Sequence, residues 1–148
     1  LSEWPAYRPR SFFHPVGFGT LGYALPAAVG AAAAEPKEAY CVLVGDGGLQ
    51  FTLQELAVAR DLELPLPIVV WNDGGYGEIR KSEQARHPGR RIAVDHRPPE
   101  FESLAAAYGM GFYRIEDPDQ LEREATRTLA GKVPAILEIP AGCMKGEI

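Results

Sequence analysis

The chain has 148 residues, a length that suits one domain with a substantial core. Its net charge of −5 gives nucleic acid no electrostatic footprint, and no apolar run nears the roughly 18 residues of a membrane span. Cys41 and Cys143 lack metal-binding spacing, which fits a reducing, cytoplasmic setting.

Leu1-Ser2-Glu3-Trp4-Pro5 reads as the middle of something longer, with residues 1–16 as a linker to one domain. Leu25-Pro26 and the alanine-rich residues 27–34 predict a helix with Pro in its first turn. Residues 39–44 form an apolar strand bounded by Gly45. Thr52-Leu53-Gln54-Glu55 has the form of a capping box opening a helix to about Leu62. Residues 67–71 make a second strand. Both strands are apolar on both faces, as in a buried parallel sheet. An arginine-rich polar stretch from Arg80 to Arg97 follows, with a turn signal at Pro88-Gly89. A helix over 99–108 stopped by Gly109, a strand over 111–115, a helix capped at Asp117-Pro118 and a strand over 135–139 complete the pattern. The alternation predicts an α/β fold, a doubly wound, mainly parallel sheet with helices on both faces.

The chemistry concentrates in two glycine-rich segments. Gly45-Asp46-Gly47-Gly48 follows the first strand, and Trp71-Asn72-Asp73-Gly74-Gly75-Tyr76-Gly77 closes the second. Ligands of open α/β sheets bind at the carboxyl ends of strands. Carboxylate and carbonyl oxygens there suit magnesium, which commonly also binds phosphates, and glycines let backbone N–H groups come close to those phosphates. The segments together read as a magnesium–diphosphate site. Gly17-Phe18-Gly19-Thr20-Leu21-Gly22 offers an alternative: it matches the G-x-G-x-x-G fingerprint of a Rossmann-type dinucleotide-binding domain of an oxidoreductase, with Asp46 placed 24 residues after the last glycine. That fingerprint needs a buried strand before it, and Ser11-Phe12-Phe13-His14-Pro15-Val16 puts His and Pro there.

Gly17-Phe18-Gly19-Thr20-Leu21-Gly22-Tyr23-Ala24-Leu25-Pro26, Val44-Gly45-Asp46-Gly47-Gly48 and Val70-Trp71-Asn72-Asp73-Gly74-Gly75-Tyr76-Gly77-Glu78-Ile79-Arg80 together resemble the C-terminal pyrophosphate-binding domain of thiamine-diphosphate enzymes. The branch they resemble contains acetohydroxyacid synthase, benzoylformate decarboxylase and related 2-oxo-acid decarboxylases. The resemblance implies thiamine diphosphate and Mg2+ as cofactors and a 2-oxo acid as substrate. Asp46 is similar to the carboxylate that binds magnesium. Asp73 falls where the family usually has an asparagine ligand, with Asn72 as the other candidate, and Gly75 matches a backbone carbonyl ligand. Gly47, Gly48, Tyr76 and Gly77 match the backbone cradle of the diphosphate. Gly19, with Thr20 beside it, matches the carbonyl that holds the cofactor's amine. Leu21 matches the apolar wedge that keeps the cofactor bent, so that its amino group lies beside the thiazolium carbon.

Glu78 and Ile79 fall where relatives line the substrate pocket; a carboxylate at 78 favours a cationic substrate tail such as a guanidinium, and equally suits the start of a helix. The wording of these motifs leans towards acetolactate-synthase-like enzymes acting on guanidino 2-oxo acids. The resemblance also implies a pyrimidine-binding domain, usually on a partner subunit, hence a longer polypeptide, a homo-oligomer, and no turnover by these 148 residues alone. His14, His87 and His96 share no metal spacing; His87 and His96 are expected in a solvated loop, the arginines of 80–97 on a solvent-exposed face, and Cys41 buried in its strand.

Overall fold

A computed structural model describes residues 6–143, so Leu1 to Pro5 of the expected linker lie outside the described residues. Four parallel strands, β1 (Val42–Gly45), β2 (Pro67–Asn72), β3 (Gly111–Arg114) and β4 (Ala135–Pro140), form one sheet in the order β1-β2-β4-β3. Alternation along β2 and β4 sends side chains to two cores. Ile68, Val70 and Ile136 join a cluster with Leu25 and Val29 of α1 (Ala24–Ala34), Leu56 of α3 (Glu55–Asp61) and Phe101 of α5 (Phe101–Ala107). Val69, Leu137 and Ile139 pack on the opposite face against Leu121 and Ala125 of α6 (Pro118–Leu129). Helices therefore cover both faces, as the pattern of elements predicts. No helix among the described residues is long and apolar enough to cross a membrane.

Four local expectations change. The capping box does not form: the chain turns helical directly after β1, through α2 (Asp46–Leu49) and a 3-10 turn at Gln50–Thr52, and Gln54 caps α3 without a side-chain bond. Thr52 is already inside helical backbone, and its hydroxyl donates to the Gly22 carbonyl at 3.2 Å instead. β1 is an edge strand apolar on both faces but buried on only one: Val42 is buried and Leu43 is 56% exposed. Cys41, expected inside this strand, precedes it and is exposed. The polar stretch from Arg80 is helical at its start, within α4 (Gly77–Arg86). Asp117 does cap α6 as expected, its carboxylate accepting from the Gln120 N–H at 2.7 Å.

Candidate functional site

Two neighbouring strands deliver the two carboxylates. β1 ends at Gly45, whose extended backbone turns the chain into α2 at Asp46. β2 ends at Asn72, one residue before Asp73. Gly45 pairs with Trp71 in parallel register, so both acids stand at the same carboxyl edge of the sheet. Asp46 is 1% exposed, and its Oδ2 accepts a hydrogen bond from the Gly75 N–H at 3.1 Å. Burial raises its pKa above the usual carboxylate value and the charge of Asp73 adds to this, while hydrogen bonds from Gly47 and Gly75 and the nearby His96 pull it down. A desolvated carboxylate with a second one beside it is a setting that a divalent cation relieves.

Asp73 lies over the first turn of α4, where a Cβ on Gly77 would overlap its Oδ2. Asn72 points elsewhere: its Nδ2 donates to Oε1 of Glu138 at 2.6 Å. Glu138, 4% exposed in β4, also meets Nη1 of Arg114 at 3.4 Å. The Asn72–Glu138 bond thus ties the end of β2 to β4 and turns the Asn72 amide away from Asp46. Glu138→Ala leaves that amide without its partner and should cost about 1–3 kcal/mol, read from the urea midpoint at neutral pH; an unchanged midpoint would remove the tether.

A third segment closes over the site. Tyr76 donates its N–H to the Val94 carbonyl at 2.9 Å and His96 donates its N–H to the Gly74 carbonyl at 3.3 Å, an antiparallel bridge that sets Gly75 opposite Asp95. Gly75 therefore turns its N–H away from this segment, towards Asp46. In extended backbone the N–H and C=O of one residue face the same edge, which puts the Gly75 carbonyl on the Asp46 side as well. The Arg80 guanidinium donates to the carbonyls of Asp73 at 3.4 Å and Gly74 at 3.2 Å and pairs with Asp95 at 3.1 Å. Arg91 pairs with the same Asp95 carboxylate.

Three expectations are corrected here. The Tyr76 N–H is bonded to the Val94 carbonyl rather than turned into a phosphate cradle, and the Tyr76 ring packs edge-on against His96. Arg80 is a partly buried clamp on the glycine loop rather than a solvated charge. His96 is 20% exposed and faces Asp46, with Nε2 3.6 Å from Oδ2, because the bridge to Gly74 pulls its strand-like segment onto the loop.

The remaining expected residues are distributed as follows. A Cβ on Gly47 would come within 2.8 Å of the Tyr76 ring and 3.0 Å of His96 Nε2, so only glycine fits there. The Leu21 side chain reaches 3.8 Å from the Cβ position of Gly48, and Leu21 itself is 45% exposed, unlike a core leucine. Gly19 and Gly22 adopt φ of 61° and 85°, a turn open to glycine; Gly19 and Thr20 lie in the exposed part of that loop. Glu78 and Ile79 are exposed in the first turn of α4, where the Glu78 carboxylate accepts from Lys81 at 2.9 Å. No strand precedes Gly17 among the described residues, so the dinucleotide fingerprint lacks the element it requires. Gln50 comes to this edge with no sequence signal, whereas Val94, Asp95 and His96 had one. The signal for them was Ile92-Ala93-Val94, an apolar run inside a polar stretch, of which Val94 is buried.

Among the described residues no three His, Cys, Asp or Glu side chains converge as a metal cluster. Asp46 and Asp73, the two carboxylates at this edge, are hard oxygen donors of the kind a cation such as magnesium takes. The glycine cradle at Gly47 and the buried Asp46 fit a magnesium-bound diphosphate.

Comparison with known proteins matches residues 2–139 to the family described as thiamine pyrophosphate enzyme, C-terminal TPP binding domain. The chain is 38% identical over 138 residues to a probable 2-ketoarginine decarboxylase of Pseudomonas aeruginosa, covering 93% of this chain and 24% of that protein. It is 33% identical over 135 residues to an acetolactate synthase of Bacillus subtilis, covering 91% and 24%. Among solved structures, a thiamine diphosphate-dependent 4-hydroxybenzoylformate decarboxylase of Rhodococcus jostii superposes with a TM-score of 0.75 at 30% identity, covering 82% of this chain and 23% of that one. The chain spans about a quarter of the length of these relatives.

Proposed function

Since the chain belongs to the thiamine pyrophosphate enzyme family, as its C-terminal cofactor-binding domain, we propose that it binds the diphosphate of thiamine diphosphate through Mg2+ in an enzyme that decarboxylates or ligates 2-oxo acids. The observation that carries this is the buried Asp46 carboxylate beside Asp73 at the ends of adjacent parallel strands. Asp46, Asp73 and the Gly75 carbonyl would hold the metal. Gly47, Gly48 and Gly77 would let the diphosphate approach the backbone, Gly19 and Thr20 would meet the aminopyrimidine, and Leu21 would wedge the cofactor. When bound, thiamine diphosphate supplies an electron sink for breaking the bond next to a 2-oxo acid's carbonyl. This chain's own part is to bind, orient and bend that group.

The substrate reading favours a guanidino 2-oxo acid, on the likeness to the protein named for 2-ketoarginine and on Glu78, an exposed carboxylate able to pair with a guanidinium. Ile79 would sit beside it. A cytoplasmic setting, a homo-oligomer and a pyrimidine-binding domain on a partner subunit belong to the same reading, and relatives some four times longer support the presence of further domains.

Calorimetric titration tests the reading in the full-length protein that carries this chain. Thiamine diphosphate should bind only with magnesium present, whereas NAD binding without thiamine diphosphate binding would favour the dinucleotide alternative. Asp73→Asn should bind as the unaltered protein does, since an amide oxygen still ligates the metal, and Asp73→Ala should weaken binding by about tenfold or more. Wild-type affinity in Asp73→Ala would hand the ligand role to another group.

A further inference from the structure

We propose that His96 is a cofactor-binding residue, whose Nε2–H donates to a diphosphate oxygen of the thiamine diphosphate held beside Asp46. The inference rests on the cofactor reading above and adds a side-chain donor to a cradle otherwise made of backbone. It starts from Gln50. One hydrogen of the Gln50 carboxamide nitrogen points to the Asp46 carbonyl, 3.3 Å away and one helical turn back. A carbonyl only accepts, so this bond fixes which end of the carboxamide is the NH2. The same nitrogen lies 3.3 Å from Nδ1 of His96. Nδ1 therefore accepts, and in the neutral ring the proton sits on Nε2.

That Nε2–H is buried and has no hydrogen-bond partner. The nearest acidic oxygen, Asp46 Oδ2, is 3.6 Å away, beyond hydrogen-bond reach. Swinging the ring out to solvent would forfeit its edge-on contact with Tyr76, at 5.2 Å between centroids. A buried donor without an acceptor is costly, and this one stands beside the glycine turn that carries Asp46, 3.0 Å from where a Cβ on Gly47 would lie. A donor tautomer selects an anionic oxygen rather than a metal ion, which needs the nitrogen lone pair. A diphosphate oxygen on the cation held by Asp46 satisfies it.

The test uses the full-length protein, calorimetric titration with thiamine diphosphate and magnesium, and manganese alone followed by electron paramagnetic resonance. His96→Ala should raise the Kd for thiamine diphosphate by about 10- to 100-fold, the range for a hydrogen bond to a charged group, and leave manganese affinity unchanged. His96→Gln, which keeps an N–H at similar reach, should recover most of the affinity. An unchanged Kd in His96→Ala overturns the assignment, and so does a loss of manganese affinity without the cofactor, which would make His96 a metal ligand. Nitrogen NMR of the wild-type ring gives a second measurement independent of variant folding: Nε2 should carry the proton and its resonance should move when magnesium and thiamine diphosphate are added. A ring protonated at Nδ1, or an unmoved Nε2, also overturns it. Failure of the wild type to bind thiamine diphosphate at all would instead sink the cofactor reading itself.

Discussion

Asp46→Asn is expected to stabilise the protein without its cofactor and to abolish magnesium-dependent binding of thiamine diphosphate. The two effects have one cause. Asp46 is buried, and burial holds its pKa above the ordinary carboxylate value, with Asp73 pushing the same way. A group whose pKa is raised on folding binds its proton more tightly in the folded chain. Its ionisation therefore costs stability, starting at the ordinary carboxylate pKa and complete above the raised folded value. Asparagine has nearly the same shape, can accept the Gly75 N–H through its oxygen, and carries no charge. The melting temperature of Asp46→Asn in EDTA should therefore exceed that of the wild type by a few degrees near neutral pH, and the gap should shrink as pH falls through that window. Magnesium with thiamine diphosphate should raise the melting temperature of the wild type only, because ligands stabilise the state that binds them. An asparagine variant that melts lower than wild type at neutral pH would show that the carboxylate's hydrogen bonds outweigh its desolvation. One that still binds the cofactor normally would remove Asp46 from the metal site.

The sheet and its edge were legible because their causes are local. Short apolar runs with β-branched residues at 42–45 and 67–72, bounded by glycines, favour buried parallel strands, and Asp46 and Asp73 follow those runs directly. What escaped was set by tertiary contact. Thr52-Leu53-Gln54-Glu55 carries the capping pattern, yet the helical path begins at Asp46, so Thr52 arrives with its backbone already turned and bonds Gly22 across the loop. The turning of the Asn72 amide to Glu138, 66 residues away, is something no pattern around 72 reveals. His96 looked solvated because its neighbours are charged; those charges, Asp95 with Arg80 and Arg91, are what fasten its segment over the glycines.

That fastening leads to the second large effect: Gly75→Ala should cost about 3 kcal/mol and unseat residues 94–96. A Cβ on Gly75 would overlap the Val94 carbonyl oxygen and the Arg80 guanidinium, with the Asp95 Cα at 3.3 Å. Arg80 can move aside, but the Val94 oxygen belongs to backbone and moves only with its segment. Displacement breaks the Tyr76-to-Val94 and His96-to-Gly74 hydrogen bonds and exposes Val94, which is 3% exposed at present. Two hydrogen bonds at roughly 1 kcal/mol each and part of the burial of a valine give that figure. Gly74→Ala is the contrast. Gly74 has φ of 73° but open space around its Cβ position, so alanine there carries left-handed strain of about 1 kcal/mol and no collision. Urea denaturation gives the energies, and hydrogen exchange at the Tyr76 and His96 amides reports the bridge. Both amides should lose protection in Gly75→Ala and keep it in Gly74→Ala. Protected amides in Gly75→Ala, or a loss no larger than in Gly74→Ala, would mean that the segment yields without detaching. If the amides do lose protection, cofactor affinity should fall with them, because the same bridge holds His96 against Asp46 and sets the Gly75 backbone towards Asp46.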